Sequence, residues 1–312
     1  MRDGLDPVPG RTMLEKRRAM QSGHDDIRRL LMLEPRCHAD MYGAVITEPV
    51  NPGSDCGVLF LHNAGYSTMC GHGIIALVTA AVEHDLFEIP EPSSVKIDTP
   101  AGLVEASANI SNGQVQSVSF LNVPSFVEQV VSGVPFADRS LEAAIAYGGA
   151  FYAYIDSDDA GLELEPENAS RLIRAGRILK DEINKSCTIR HPDGDEDLNF
   201  LYGVIFTRPA RAGRAARNVC VFADGELDRS PTGTGVSGRA AIAYAEGELS
   251  LGEDMPIDSI LGTAFNVQCV AETNVGHLPA VHTRVEGQAF MTGEHRFVAD
   301  ERDPLRKGFF IR

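Results

Sequence analysis

Two glycine-rich segments carry the residues of this chain that could do chemistry. Residues 69–73 read Met-Cys-Gly-His-Gly, and residues 228–235 read Asp-Arg-Ser-Pro-Thr-Gly-Thr-Gly. Each segment runs into a stretch of small apolar residues, and Cys70 and Thr232 lie about half the chain length apart. This repeat predicts two similar halves, each with a helix that begins at its glycine-rich turn, with both helix starts facing one cleft.

The start of a helix favours a bound anion and the thiolate form of a cysteine. Its first N–H groups have no acceptor within the helix and carry partial positive charge. Glycines there let a ligand approach the backbone closely. Cys70 therefore has the setting of a base or nucleophile, and His72 could bind substrate or help to hold the thiolate. A single cysteine is more often a small buried side chain, but the matching second turn argues against that interpretation here.

The second turn allows further interpretations. Asp228 could accept hydrogen bonds from a substrate ammonium group or could cap the local backbone. Residues 233–238 also match the G-x-G-x-x-G pattern of dinucleotide-binding folds, with Glu253 and Asp254 near the spacing of a ribose-binding acid. However, a polar turn precedes the pattern, and little after the helix reads as a buried parallel strand. The match therefore argues only weakly for binding of a nicotinamide cofactor.

Hydrophobic periodicity and turn residues predict the elements that must position the two turns. The predicted helices span residues 13–33 (with a break near Ser22-Gly23), 73–84, 166–185 and 235–246. The predicted strands span residues 58–61, 95–98, 115–120, 144–155, 201–206 and 219–222, with a hairpin turn at Asn112-Gly113. This pattern is typical of an α+β protein with a mostly antiparallel sheet.

Composition narrows the class of protein. The 312 residues suit two domains, and the net charge of −16 argues against nucleic acid and anionic membranes as partners. The first residues lack the pattern of a secretory signal, and the apolar runs are too short to span a membrane. The six cysteines show no paired spacing. We therefore expect a cytoplasmic protein with reduced thiols.

Longer blocks around the two turns resemble the proline racemase family, and within it the dehydratase branch. The matching blocks are residues 34–44, 60–73, 145–152, 218–224 and 303–305. The resemblance thus extends over nearly the whole chain. One departure is the beginning: members usually open with a strand and a His-Thr-Gly-Gly-Glu-Pro-like segment, whereas residues 1–5 here read Met-Arg-Asp-Gly-Leu.

The resemblance implies a fold like that of diaminopimelate epimerase, with two pseudo-symmetric lobes of mostly antiparallel sheet around a central helix. The active site would lie between the lobes. Residues 1–123 and 288–312 would form the first lobe, with the C-terminal tail crossing back to it, and residues 124–287 the second. The resemblance also implies an enzyme that needs no cofactor, neither pyridoxal phosphate nor a metal, and that commonly forms homodimers.

The resemblance implies a reaction as well. Racemases of the family carry a cysteine at both turns, and the two sulfurs exchange the substrate α-proton across the ring. Thr232 stands at the second position here, and a hydroxyl is too weak an acid or base for that exchange near neutral pH. We therefore expect dehydration of trans-3-hydroxy-L-proline to Δ1-pyrroline-2-carboxylate and water, with Cys70 as the proton acceptor.

In this hypothesis the remaining site residues bind the substrate. Backbone N–H groups of both helix starts hold the carboxylate, and two side chains contact the ring nitrogen. The carboxylate donors are Gly71, His72, Gly233 and Thr234, and the side chains are those of His72 and Asp228. Two alternatives stay open: a proline racemase or hydroxyproline 2-epimerase, and an inactive protein that binds cyclic amino acids.

Overall fold

The computed structural model describes residues 7–84, 87, 89, 94–211 and 213–311. The α-helices of this part of the chain are α1 (Met13–Gly23), α2 (Asp25–Met32), α3 (Gly71–His84), α4 (Ala169–Ser186) and α5 (Gly233–Ala245). The first strands are β1 (Tyr42–Thr47), β2 (Cys56–His62), β3 (Tyr66–Ser67), β4 (Val95–Thr99), β5 (Gly102–Ser111) and β6 (Gln114–Leu121). The later strands are β7 (Ser125–Phe136), β8 (Arg139–Tyr147), β9 (Phe151–Asp156), β10 (Leu201–Arg208), β11 (Ala216–Phe222), β12 (Glu226–Leu227), β13 (Met255–Asp258), β14 (Ala264–Val275) and β15 (Leu278–Gly287). The α+β class is therefore confirmed.

The first two helices show how local sequence sets helix boundaries. The hydroxyl of Thr12 accepts a hydrogen bond from the Glu15 N–H at 3.1 Å and so caps α1. The helical stretch is interrupted at His24, next to the break predicted near Ser22-Gly23, and α2 follows at once. Asp25 and Asp26 lie in the first turn of α2 rather than at its cap, where their negative charge complements the helix dipole.

The second half of the chain forms a closed barrel around α5, with α4 packed against its outside. Eight strands, β7 to β11 and β13 to β15, pair in a ring that closes because β15 pairs with both β14 and β7. Helix α5 is buried along most of its length within this ring. The apolar face of α4 packs on the outside of the ring, against outward side chains such as Phe151 and Phe206. That face consists of Leu172, Ala175, Leu179 and Ile183. The layer between α4 and the barrel thus gives the second half a core of its own.

The first half repeats the strand order of the second. The series β1 to β6 shows the same pairings as the series β10 to β15: an antiparallel pair, a short third strand, a parallel crossover by way of a helix, and two further antiparallel pairs. Helix α3 occupies in the first series the place of α5 in the second. Strands β7, β8 and β9 have no counterpart before β1 among the described residues.

The two series are joined rather than separate. Strand β6 pairs with β15, so one sheet runs through both. Helices α3 and α5 share one hydrophobic core, in which Ile74 and Val78 pack with Val236 and Ala240. The division into lobes at residues 123 and 288 stays a prediction. The tail does lie against the first half, where Phe309 pairs with Glu34.

The structure corrects two sequence predictions. Residues 144–155 are not one central strand but β8 and β9, joined by a turn at Gly148 and Gly149. Gly149 has φ +107°, a conformation that favours glycine, so the glycine pair reverses the chain instead of lying within a strand. The second correction is that a parallel strand does follow α5, because β13 pairs with β11 over residues 216–217 and 257–258.

Among the described residues, no helix combines the length and the apolar character that crossing a membrane requires. The six cysteines are all free.

Close packing of α4 predicts a size limit at Gly176. A methyl group at this position would lie 2.5 Å from the Cβ of Val221, so Gly176→Ala should lower the free energy of unfolding by about 1–3 kcal/mol, reduced by the roughly 1 kcal/mol that alanine contributes to a helix. Gly23→Ala, where nothing lies within 4 Å, should leave stability unchanged or slightly raised. Urea denaturation measures both; equal stability of Gly176→Ala and the wild type would contradict this packing.

Candidate active site

The starts of α3 and α5 meet in direct backbone contact. A methyl group on Gly71 would lie 2.6 Å from the Cα of Gly233, and one on Gly233 would lie 2.5 Å from the Cα of Gly71. No side chain larger than hydrogen fits at either position. The two glycine-rich turns, which are distant in sequence, therefore form one unit.

One cavity lies at this meeting point. It is lined by all seven residues that the sequence analysis selected, namely Cys70, Gly71, His72, Asp228, Thr232, Gly233 and Thr234. Met69 and four aromatic side chains complete the lining. The volume is about 10 Å³, which is enough for about one water molecule. The structure thus brings the selected residues together, while their roles remain predictions.

Cys70 caps the start of α3. Its Sγ accepts a hydrogen bond from the Gly73 N–H at 3.3 Å, and its carbonyl accepts one from the Ile74 N–H at 3.0 Å. The side chain is buried. Partial positive charge at a helix start favours a thiolate, so the sulfur is placed where a negative charge is best tolerated.

Thr232, at the matching position before α5, is held differently. Its hydroxyl makes no cap bond to α5 and donates instead to Oδ2 of Asp228 at 2.8 Å. Its backbone has φ +68°, a strained conformation for a β-branched residue. The Thr232 N–H donates to Oγ of Ser230 at 3.0 Å, which helps to fix this geometry. The hydroxyl proton of Thr232 is thus committed to a carboxylate.

His72 and Asp228 form an ion pair across the two turns. Nδ1 of His72 lies 3.5 Å from Oδ2 of Asp228 and 3.1 Å from Oγ of Ser230. Burial alone would lower the pKa of His72, but the negative charges of Cys70 and Asp228 raise it well above its usual value. Burial likewise opposes ionisation of Asp228, yet His72 and the Ser230 N–H lower its pKa. Each group of the pair thus favours the charged form of the other.

Aromatic rings form the rest of the cavity wall. The Tyr152 hydroxyl lies 2.8 Å from Oγ1 of Thr234, and the ring of Tyr42 meets that of His72 edge-on at 5.1 Å. Tyr202 and Phe222 complete the wall. Burial raises the pKa of Tyr202 and Tyr152 well above the usual value, so both keep their protons.

Sequence reasoning gave these wall residues no role. Tyr42, Tyr152 and Phe222 lie inside blocks that carried the family resemblance. Their membership of those blocks is the sequence feature by which they could have been identified. Ser230 likewise lies inside the second motif, without an assigned contact. Tyr202 lies in no motif, and its place in the wall depends on the pairing of β10 with β9.

A larger cavity of about 530 Å³ lies elsewhere, between α5 and the hairpin of β14 and β15. Its charged lining residue, Glu272, accepts a hydrogen bond from Tyr244. The lining holds neither a cysteine nor a histidine. The small cavity between the helix starts, with its sulfur and its ion pair, is therefore the candidate active site.

Comparison with known proteins agrees with this architecture. The proline racemase family model matches residues 1–310, and the chain belongs to this family of enzymes. A protein of Burkholderia cenocepacia named trans-3-hydroxy-L-proline dehydratase is 44% identical over 99% of this chain and 93% of its own length. A protein of Burkholderia multivorans named 3-hydroxyproline 2-epimerase is also 44% identical, with the same coverage.

A solved structure shows the same fold. The hydroxyproline epimerase of Agrobacterium vitis, crystallised with trans-4-hydroxy-L-proline, aligns with a TM-score of 0.91 and 32% identity, covering 98% of this chain and 89% of that one. The family resemblance predicted from the glycine-rich turns is thereby confirmed.

The ion pair predicts a measurable shift at His72. Asp228→Asn removes one of the charges that raise the pKa of His72, so this pKa should fall toward its usual range, whereas Asp26→Asn, an exposed partner of Lys307, should leave it unchanged. NMR titration of labelled histidine rings measures both. An unchanged His72 titration in Asp228→Asn would contradict the pairing.

The same shifts set a pH window for stability. The contribution of His72 is complete below the unfolded value of 6.5 and is lost as the pH rises through the raised folded value. The contribution of Asp228 is present above the unfolded value of 3.8 and is lost as the pH falls through the lowered folded value. In Asp228→Asn, thermal unfolding should vary less with pH at both ends of this window.

Proposed function

We propose that this protein is a hydro-lyase that dehydrates trans-3-hydroxy-L-proline to Δ1-pyrroline-2-carboxylate and water, with Cys70 as the proton acceptor and without a cofactor. The observation that carries the proposal is the asymmetry of the two helix starts. The Cys70 sulfur lies at the start of α3, while the Thr232 hydroxyl is turned away to Asp228. The names of the relatives at 44% identity support the substrate class.

The substrate carboxylate binds between the two helix starts. The first N–H groups of α3 and α5, on Gly71, His72, Gly233 and Thr234, have no acceptor within their helices. Both helix dipoles favour an anion at this place. As the α-carbon loses its proton, negative charge spreads onto the carboxylate, and donors that are already aligned stabilise it.

The two residues of the ion pair act on different atoms: Asp228 on the ring nitrogen of the substrate and His72 on the sulfur of Cys70. The Asp228 carboxylate accepts hydrogen bonds from the ring ammonium group of the substrate. The imidazolium of His72 lies between this carboxylate and Cys70, and its positive charge favours the thiolate form of the sulfur.

With the Cys70 sulfur as both proton acceptor and proton donor, the atoms and charges of the reaction balance. The Cys70 thiolate takes the α-proton, the C–H electron pair forms the C2–C3 double bond, and the C3–O bond breaks. In the trans substrate, the α-hydrogen and the 3-hydroxyl share one face of the ring. The thiol can therefore deliver its proton to the departing hydroxide, which leaves as water and restores the thiolate. The enamine product tautomerises to the cyclic imine.

The second candidate is a 3-hydroxyproline 2-epimerase, because relatives with both names share 44% identity with this chain. Epimerisation requires that a second group return a proton to the opposite face. The Thr232 hydroxyl is a weak acid and already donates to Asp228. The residue at position 232 therefore favours dehydration.

Replacement of the base should abolish turnover. Cys70→Ser should lower the rate of cyclic-imine formation from trans-3-hydroxy-L-proline by about 10²–10⁴-fold, the usual contribution of a positioned base. Cys187→Ser, a half-buried thiol outside the cavity, should keep the wild-type rate. The assay is run beside trans-4-hydroxy-L-proline and L-proline, which lack a 3-hydroxyl and should give no imine. Dehydration retained in Cys70→Ser would reject Cys70 as the base.

A thiol at the second turn should add racemisation. Thr232→Cys places a second sulfur at the matching helix start, so slow racemisation of L-proline should appear. Thr232→Ser keeps the hydroxyl and should show none. Chiral chromatography of L-proline incubated with each variant measures the outcome. The one-base proposal fails if the wild type already racemises L-proline as fast as it dehydrates trans-3-hydroxy-L-proline.

A further inference from the structure

A buried carboxylate behind the cavity wall joins the two catalytic segments. The Glu226 side chain is only 1% exposed. Its Oε1 accepts a hydrogen bond from the Ala64 N–H at 3.2 Å, and its Oε2 accepts one from the Asp224 N–H at 2.8 Å. Ala64 lies in the turn between β2 and β3, and Asp224 in the turn between β11 and β12. One side chain thus fastens two turns from different halves of the chain.

His62 connects this carboxylate to the cavity. Its side chain is 4% exposed, and Nδ1 lies 3.7 Å from Oε1 of Glu226. The imidazole ring stacks on Tyr42 with 5.9 Å between ring centroids. Tyr42 in turn meets His72 edge-on. A continuous series of contacts therefore runs from Glu226 to the catalytic ion pair.

Both turns continue directly into the segments that carry the proposed catalytic side chains. The first continues through β3 to Cys70, and the second through β12 to Asp228 and Thr232. The Gly71–Gly233 contact fixes the helices themselves, but the side chains of Cys70 and Asp228 stand on the segments before them. The distance between the turns therefore affects how these two side chains face a common substrate.

Burying a charged side chain costs free energy, so a charge that persists at this position indicates that its contacts need it. Burial opposes ionisation of Glu226, yet its contacts with His62 and the backbone N–H of Asp224 lower its pKa, so the group stays charged. Lys180, which donates to the Ala223 carbonyl at 2.7 Å, adds a positive charge nearby. The charged form supplies acceptors on both oxygens, whereas an amide supplies one.

We propose that Glu226, together with His62, is a positioning residue that holds the β2–β3 and β11–β12 turns at the separation at which Cys70 and the His72–Asp228 pair act on one substrate. This inference rests on the proposed function only in taking the cavity between the helix starts as the place of proton removal.

Glu226→Gln tests the proposal. The amide keeps the size but has one oxygen, so one of the two turns loses its acceptor. We expect kcat to fall about 10–100-fold, since a misplacement of about 1 Å costs that much. KM should change far less, because the donors for the carboxylate belong to α3 and α5, whose glycine contact is untouched. Two rates are measured: imine formation, and exchange of the substrate α-proton with D2O.

Glu165→Gln is the matched control. Glu165 accepts from Arg208 at 3.3 Å and from Arg217 at 2.6 Å, and it lines no part of the catalytic cavity. This variant should lower the midpoint of thermal unfolding while kcat stays at the wild-type value. The double variant that combines Glu226→Gln with His62→Gln should lose about as much activity as Glu226→Gln alone, because the two residues act as a unit.

The outcomes are distinct. A wild-type kcat in Glu226→Gln overturns the inference, and so does a loss that merely follows the fraction of unfolded protein. Should Glu226→Gln fail to fold, His62→Gln is judged by the same kcat criterion. A wild type that exchanges the α-proton without forming imine would refute the proposed dehydration, while the exchange rates of the variants still decide the role of Glu226. Absence of both imine formation and exchange in the wild type would remove both proposals.

Discussion

The contact between Gly71 and Gly233 is the constraint on which the site depends. It brings two helix starts together, each with partial positive charge, at the distance of backbone contact. Two like partial charges at this distance are unfavourable unless anions neutralise them. The Asp228 carboxylate supplies negative charge within the protein, and a substrate carboxylate would supply more. The two helix starts therefore favour an anion at this place before any ligand binds.

The two helix starts are nearly symmetric, and the proposed reaction depends on one local difference between them. The same turn precedes α3 and α5, but the sulfur of Cys70 lies on its helix start, while Thr232 adopts φ +68° and turns its hydroxyl to Asp228. The strained backbone of Thr232 is held by bonds to Ser230 and Asp228. Strain of this kind persists where surrounding contacts determine it fully, and here those contacts are also the ones that orient the ion pair.

The sequence was informative where structure is local. A glycine-rich turn sets a helix start within a few residues, so the starts of α3 and α5, and the family they indicate, could be predicted. The glycine pair at 148–149 was misread because strand and turn patterns overlap there. Tyr202, His62 and Glu226 could not be predicted, since their places depend on strand pairing and on contacts between distant segments. Closure of the barrel by β15 and β7 is non-local in the same way.

The small cavity between the helix starts has a consequence for affinity. The space of about 10 Å³ is smaller than a five-membered ring, so the side chains that line it must move when a ring enters. The free energy of that rearrangement is subtracted from the binding free energy of substrate and product alike. A product held less tightly for this reason leaves sooner.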